Sequence, residues 1–158
     1  MRDNGQEAAS GAAMSTVPEN LVEIGASFEQ TYKPVLDFHG WKVAMLRHFT
    51  VVAPEHFYRV ERHWNTNEVF ILTAGKADLI ILEGVEAPTR PYVLPMQLNV
   101  AYNIQQSVWH HVVMSPDAHI ILIERSATSV ETTDYAELPP DVAAQIKAQF
   151  TVTGSAAR

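Results

Sequence analysis

The chain has 158 residues, of which 47% are hydrophobic, and it carries a formal net charge of −7 at pH 7. This length and composition predict one globular domain with a buried core. The negative charge repels phosphate backbones and anionic lipids, so we expect neither nucleic acid nor a membrane as a partner. Cysteine is absent from the sequence, which excludes disulfides, thiolate metal sites and cysteine nucleophiles. Any metal ion must therefore be held by histidine and carboxylate side chains.

The two ends of the chain differ in character from its centre. We predict a flexible N-terminal tail over residues 1–16, a single domain over residues 17–150 and a C-terminal tail over residues 151–158. The N-terminus lacks the apolar stretch of a signal peptide. No run approaches the ~20 apolar residues that a membrane helix needs. We therefore expect a cytoplasmic protein.

Short β-type segments separated by glycine, proline and asparagine fill most of the domain, as in a sandwich or barrel. The predicted strands span residues 21–26, 41–49, 57–62, 68–73, 77–82, 92–94, 100–104, 108–114 and 119–124. We expect the strands at 68–73 and 77–82 to pair as a hairpin, because Gly75 between them can adopt the positive φ of a tight turn. The apolar segments 21–24 and 41–49 suit exposed edge strands, which would pair with a second copy in a homodimer.

One segment near the C-terminus has the pattern of a helix. Pro139, Pro140 and Asp141 suit its first turn, where proline is tolerated and a negative charge is favoured. The apolar residues Val142, Ile146 and Phe150 then recur every four positions. They can share one face, so we expect this helix to pack on the sheet.

Glu61, His63 and Glu68 form a polar group near the end of a predicted strand. Side chains alternate along a strand, so Glu61 and His63 point to the same face. Glu68 can join them only if residues 64–67 break the strand, and the two asparagines there favour a turn. The strand that Glu68 begins is apolar on both faces, where a carboxylate is costly unless it is paired or bound. The alternative is that Glu68 lies at a solvated end of the strand.

Two adjacent histidines on a later strand, His110 and His111, must point to opposite faces. Val108 and Val112 share the face of His110, and the other apolar residues of the strand share that of His111. The alternation alone does not decide which face lies inside. A lone histidine on an apolar strand is more often a hydrogen-bonded core residue than a ligand, so its significance depends on the polar group described above.

The spacing of these polar residues resembles that of the cupins, a family defined by two sequence motifs. The first motif contains two histidines, a glutamate and a glycine. The series Glu61-x-His63-x4-Glu68-x6-Gly75 follows it in register, with Glu61 at the position of the first histidine. The resemblance extends over roughly residues 41–124.

The second cupin motif is matched more loosely. Gln105-x-Ser107-x2-His110-x3-Met114 keeps its histidine, whereas the proline, glycine and asparagine of the motif are replaced. The segment containing Trp109, His110 and His111 is also similar to a Trp-His-His segment of ureidoglycolate lyase, a cupin. This second similarity spans only a few residues.

The resemblance implies an all-β fold, a double-stranded β-helix (jelly-roll or cupin barrel) with a short C-terminal helix and a pocket inside the barrel. It further implies that His63, Glu68 and His110 are ligands of a divalent metal ion. Such donors are compatible with iron, manganese, zinc or nickel. Glu61 is then either a fourth ligand or a catalytic general base.

Two functions from different classes follow. The first is a metal-assisted enzyme, of lyase, isomerase or oxygenase type, that acts on a small polar or acidic metabolite. In that case Arg59 and Tyr102 would lie in the substrate pocket, where an arginine can bind a carboxylate through two hydrogen bonds. The second is a non-catalytic module that has lost its metal and binds a sugar or a small organic acid. The glutamate at position 61, where the motif has a histidine, favours the second function. The retained residues His63, Glu68 and His110 favour the first.

Overall fold

The computed structural model of the chain describes residues 17–18 and 20–153, and this part folds into ten β-strands and one α-helix. Three short 3-10 turns, Thr50–Val52, Pro54–His56 and Val130–Thr132, lie between them. In chain order the elements are β1 Tyr32–Phe38, β2 Trp41–Arg47, β3 Arg59–His63, β4 Glu68–Ala74, β5 Ala77–Leu82, β6 Pro91–Pro95, β7 Ala101–Ile104, β8 Trp109–Met114, β9 His119–Arg125, β10 Thr133–Glu137 and α1 Pro140–Lys147.

The strands form two antiparallel sheets of five strands each. One sheet has the order β1-β2-β9-β4-β7, and the other has the order β10-β3-β8-β5-β6. Strands that follow each other in the chain therefore often lie in different sheets, as in a double-sheet jelly roll. The predicted jelly-roll barrel with a short C-terminal helix is confirmed.

The turn at Gly75 differs from the prediction. β4 pairs with β7 and β9, whereas β5 pairs with β6 and β8, so the predicted hairpin between β4 and β5 is wrong. The turn instead carries the chain from one sheet to the other. Glycine is required there for two reasons, because its φ is +69° and a Cβ atom would lie 2.5 Å from the backbone of Ala118.

The strand prediction was also wrong at both ends of the barrel. Residues 21–26 form no strand, and the N-terminal strand is β1, which contains Pro34 next to a register shift. Proline is tolerated in β1 because it is an edge strand. β2 lies between β1 and β9, so it is not the exposed edge that we expected. β10, an acidic strand without a strong apolar pattern, was missed. The homodimer stays a prediction.

Two apolar layers cover the two faces of the second sheet. The first fills the barrel between the sheets and includes Leu46, Leu72 and Met114. The second lies on the outer face, where Ile146 of α1 packs among residues such as Val113. α1 begins at Pro140, as the sequence predicts, and its apolar side covers the sheet. Both faces of β8 are therefore buried, which explains why alternation could not distinguish its inner face.

The chain after α1 is held by a buried carboxylate on β5. Asp78 is 0% exposed, and it accepts hydrogen bonds from the Thr151 amide (2.6 Å), the Thr151 hydroxyl (2.6 Å) and the Val152 amide (3.1 Å). Thr151 and Val152 are therefore anchored, although the sequence places them in a tail. The predicted tail residues 1–16 and 154–158 lie outside the described residues. Within the described part, no helix is both long and apolar enough to cross a membrane.

Replacing Asp78 with asparagine is expected to destabilise the fold. The amide oxygen can still accept from the two backbone amides, but the carboxylate charge is lost and an NH₂ group faces the Thr151 hydroxyl, which costs about 1 to 2 kcal/mol of unfolding free energy. Urea unfolding of Asp78→Asn measures this loss. Asp37, an exposed aspartate that accepts a bond from Ser126, provides the matched control Asp37→Asn, which should change little. An unchanged urea midpoint for Asp78→Asn would contradict the role of this anchor.

Candidate metal centre

Three strands from the two sheets bring the predicted site residues together inside the barrel. Glu61 and His63 share one face of β3, and Glu61 lies opposite His110 on the neighbouring strand β8. β3 ends at His63, and the chain turns before β4 begins at Glu68 in the other sheet. The break that the sequence required between His63 and Glu68 is present, so Glu68 faces the two histidines across the barrel.

One oxygen of Glu68 lies between the two imidazole rings. His63 Nε2 is 3.1 Å from Glu68 Oε2, and His110 Nε2 is 3.0 Å from the same atom. Glu68 is only 6% exposed, so the alternative of a solvated strand end is wrong. Two ring nitrogens and a carboxylate oxygen thus converge in a buried place.

The other ring nitrogens show where the histidine protons lie. His110 Nδ1 is 2.8 Å from the carbonyl oxygen of Val108, which can only accept. His63 Nδ1 is 2.9 Å from the hydroxyl of Thr133, which itself donates to the carbonyl oxygen of Ser129. Both Nδ1 atoms are therefore donors, and in a neutral ring each Nε2 directs a lone pair towards Glu68.

Three electron-rich atoms at this spacing require a positive charge among them. Protons on both Nε2 atoms would supply it, and so would a single metal ion. Bonds of about 2.1 Å to an octahedral ion place neighbouring donor atoms about 3.0 Å apart. The separations from Glu68 to His63 and His110 match this value. The hydrogen bonds at Nδ1 are also those that orient histidine ligands in metal sites.

Two carboxylates lie close enough to extend the group. Donor atoms of Glu61, His63 and His110 all lie within 4.8 Å of one another. The same holds for donor atoms of His63, Glu68 and Glu124. The two groups share His63, and each combines nitrogen and oxygen donors of the kind that hard or borderline divalent metals accept.

Burial raises the pKa of the two carboxyl groups, and the neighbouring histidines lower it. The balance of these effects differs between Glu68 and Glu61. Burial acts to raise the pKa of Glu68, but hydrogen bonds from His110 and His63 outweigh it and lower that pKa to about 2. Burial likewise opposes the charged form of His110, yet its hydrogen bond to Glu68 raises the pKa of this ring. Burial raises the pKa of Glu61, which His110 only partly offsets. The charged form of Glu68 is therefore favoured, whereas burial disfavours the charged form of Glu61.

His110 and His111 have the opposite orientations that the sequence predicts, and the structure distinguishes them. His110 faces the barrel interior. His111 packs against Phe57 of the outer apolar layer, with ring centroids 5.4 Å apart, and its Nε2 lies 3.2 Å from the carbonyl oxygen of Val51. Burial, reinforced by the neighbouring His110, lowers the pKa of His111 to about 4. This ring is neutral near neutral pH.

Acid should weaken the fold through His111. Between its folded pKa of about 4 and an unfolded value of about 6.5, the unfolded chain binds more protons, so stability falls as the pH falls through this window. From pH 7 to pH 5 the loss is about 2 kcal/mol. Urea unfolding at both pH values measures it, and His111→Gln should reduce the loss by this amount. An equal acid loss in wild type and His111→Gln would refute the assignment.

A cavity of about 360 Å³ opens onto the polar group. Arg59 lines it together with Glu61, and the Arg59 guanidinium lies 4.8 Å from the ring centre of Tyr135. Tyr102 does not line this cavity. Its ring borders a separate apolar cavity beside residues such as Leu79, and its hydroxyl accepts a bond from the Gln97 amide. The structure therefore brings Arg59, but not Tyr102, to the predicted pocket.

Several further polar residues line the cavity and were missed in the sequence, and three of them carry or can carry a charge. Glu124 on β9, Tyr32 on β1 and Lys42 on β2 face the same interior. Glu124 continues the inward series that Ile120 and Leu122 begin, so an acidic residue at the third inward position was the signal that could have revealed it. Tyr32 was hidden because its strand was not predicted.

Comparisons with known proteins support the fold. No protein-family model matches the chain, and no curated protein does either. Its solved neighbours include the capsular polysaccharide assembling protein CapF from Staphylococcus aureus, with a TM-score of 0.52, 9% identity and coverage of 73% of this chain. The chain spans 34% of the length of that CapF chain.

Two other solved neighbours are less similar in structure. A cupin-2 domain containing protein from Shewanella frigidimarina has a TM-score of 0.44 and 18% identity, covering 62% of this chain and 84% of its own. An oxalate oxidase in complex with the substrate analogue glycolate has a TM-score of 0.47 and 11% identity, covering 78% and 72%. At these identities the likeness concerns the fold alone. The chain is a jelly-roll barrel with a buried cluster of histidines and carboxylates, and the similarity to ureidoglycolate lyase stays a prediction.

Proposed function

We propose that the barrel holds one divalent metal ion through His63, Glu68 and His110, and that the chain is a metal-dependent enzyme acting on a small polar or acidic metabolite. The observation that carries this proposal is the convergence of two histidine Nε2 atoms on one oxygen of a buried carboxylate. Membership of the cupin family, suggested by the first motif, agrees with it.

The charges around the cavity also favour a cation. Three carboxylates, Glu61, Glu68 and Glu124, line it, and the permanently charged basic groups among its lining residues are Lys42 and Arg59. Buried carboxylates in excess are costly unless a positive charge compensates them. A divalent ion supplies that charge without protonation of the rings.

The groups around the site suit acid–base chemistry on a bound substrate. A divalent ion held there would polarise a carbonyl or hydroxyl oxygen, or lower the pKa of water. Glu61, whose pKa is raised by burial, can take a proton from a substrate carbon or hydroxyl. Arg59 lines the same cavity and can hold a substrate carboxylate through two hydrogen bonds. Lyase, isomerase and oxygenase reactions on a small acid are all compatible with these roles.

The second candidate function is a binding module without a metal. Glu68 can hold both histidines as charged rings, and the raised pKa of His110 favours that state. The cavity would then bind a small sugar or organic acid through hydrogen bonds alone. Metal content separates the two functions, because only the first requires an ion.

Elemental analysis of protein purified without added metal tests the proposal. We expect about one equivalent of metal per chain, or about one equivalent bound after titration with Mn²⁺, Fe²⁺, Ni²⁺ or Zn²⁺. His63→Ala and His110→Ala should each abolish this binding. His39→Asn is the control, since His39 lies in an exposed turn at positive φ, where asparagine is tolerated. Less than about a tenth of an equivalent under all these conditions would favour the binding module.

A further inference from the structure

We infer that Glu124 is an additional ligand of the ion in this site, so that the metal centre is richer in carboxylates than the cupin motifs indicate. The inference rests on the proposed function, because it concerns the same ion. It adds a residue that lies outside both motifs, on β9, and it narrows the class of metal.

One oxygen of the buried Glu124 carboxylate lacks a hydrogen-bond partner within the part of the chain that the structure describes. Glu124 is 4% exposed, and its Oε1 accepts a hydrogen bond from the Tyr32 hydroxyl at 2.8 Å. Lys42 Nζ lies 3.3 Å from the same oxygen. Oε2 is buried and has no hydrogen-bond partner among the residues that the structure describes. A buried carboxylate oxygen without a partner costs free energy and indicates a missing ion or water.

Glu124 also lies close to two of the proposed ligands. A carboxylate oxygen of Glu124 lies within 4.8 Å of donor atoms of both His63 and Glu68. Glu124 also lines the cavity onto which these residues open. Its bonds to Tyr32 and Lys42 use one oxygen and fix the carboxylate plane, as supporting hydrogen bonds commonly do for a ligand. The other oxygen is left for the ion.

Addition of Glu124 changes the chemistry of the donor set. With Glu124 added to Glu68 and the two imidazoles, two carboxylates would bind the ion. Carboxylate-rich sets suit manganese and iron better than the softer or more nitrogen-loving nickel and zinc. We therefore expect the centre to prefer a hard divalent ion such as Mn²⁺.

Titration of the metal-free protein with Mn²⁺, followed by electron paramagnetic resonance of the free ion, tests the inference without any substrate. Glu124→Gln keeps the shape and an acceptor for Tyr32 but presents an NH₂ group, which cannot be a ligand. We expect it to weaken Mn²⁺ binding about tenfold or more. Glu83 also accepts a bond from a tyrosine, Tyr92, but it lies on the surface, so Glu83→Gln is the matched control and should bind like wild type.

A shorter carboxylate distinguishes ligation from a general effect of charge. Glu124→Asp keeps the negative charge but withdraws the oxygens by one methylene. If Glu124 is a ligand, this variant should lose affinity as Glu124→Gln does. Wild-type affinity in Glu124→Asp would mean that only the charge matters, and wild-type affinity in both variants would mean that a water satisfies Oε2; either result overturns the inference. Absence of Mn²⁺ binding by the wild type would overturn the proposed function as well.

Discussion

Replacing Glu68 with glutamine is expected to abolish metal binding while leaving the barrel folded. The amide keeps the size of the side chain, but its NH₂ group or neutral oxygen cannot replace a charged ligand shared by His63 and His110. We expect affinity for Mn²⁺ or Zn²⁺ to fall by about 100-fold or more. The buried histidines lose their charged partner at the same time, so the pKa of His110 should fall, because the opposing effect of burial is then less offset.

Thermal unfolding makes this loss measurable without knowledge of the substrate. Metal at 100 times its dissociation constant should stabilise the wild type by about 2.7 kcal/mol, which raises Tm by roughly 5 to 10 °C. Glu68→Gln should show no such rise at the same metal concentration. The surface variant Glu83→Gln should keep the full rise. A similar Tm increase in Glu68→Gln would show that metal binds elsewhere, and it would remove the main support for the proposed function.

The spacing of the polar residues predicted that they cluster, because side chains alternate between the two faces of a strand. Glu61 and His63 are two residues apart and therefore share a face, irrespective of how their strand pairs in the sheet. Glu68 needed a break after His63, and the asparagines in that segment provided a physical reason for one. The positive φ predicted for Gly75 is also confirmed, although the turn does not form the predicted hairpin.

The pairing of strands was not predictable from the same local features. The turn at Gly75 suits a hairpin as well as a crossover between sheets, and only contacts distant in sequence decide between them. β4 finds its partners in β7 and β9, far along the chain. The face of His110 depends similarly on α1, which covers the opposite side of β8. Glu124 was missed because the apolar pattern of its strand is that of ordinary core. Its proximity to His63 follows only from the folded barrel.

Glu61→His is expected to move the metal preference of the site towards nickel and zinc. Glu61 occupies the position of the first histidine in the cupin motif, and its donor atom lies within 4.8 Å of those of His63 and His110. An imidazole there would add a third nitrogen ligand and remove a carboxylate whose charged form burial disfavours. We expect affinity for Ni²⁺ or Zn²⁺ to rise about tenfold to 100-fold, with a smaller change for Mn²⁺.

Comparison with Glu61→Gln decides what Glu61 does in the natural protein. Glutamine removes the charge and the proton-accepting group without supplying a nitrogen ligand. If Glu61 is a ligand, Glu61→Gln should bind Mn²⁺ about tenfold more weakly, whereas Glu61→His should recover or exceed wild-type binding of Ni²⁺. If Glu61 is instead a general base, Glu61→Gln should bind Mn²⁺, Fe²⁺, Ni²⁺ and Zn²⁺ like the wild type. Unchanged metal binding in both variants would place Glu61 outside the coordination sphere, and the raised pKa of its carboxyl would then be the property that matters for chemistry.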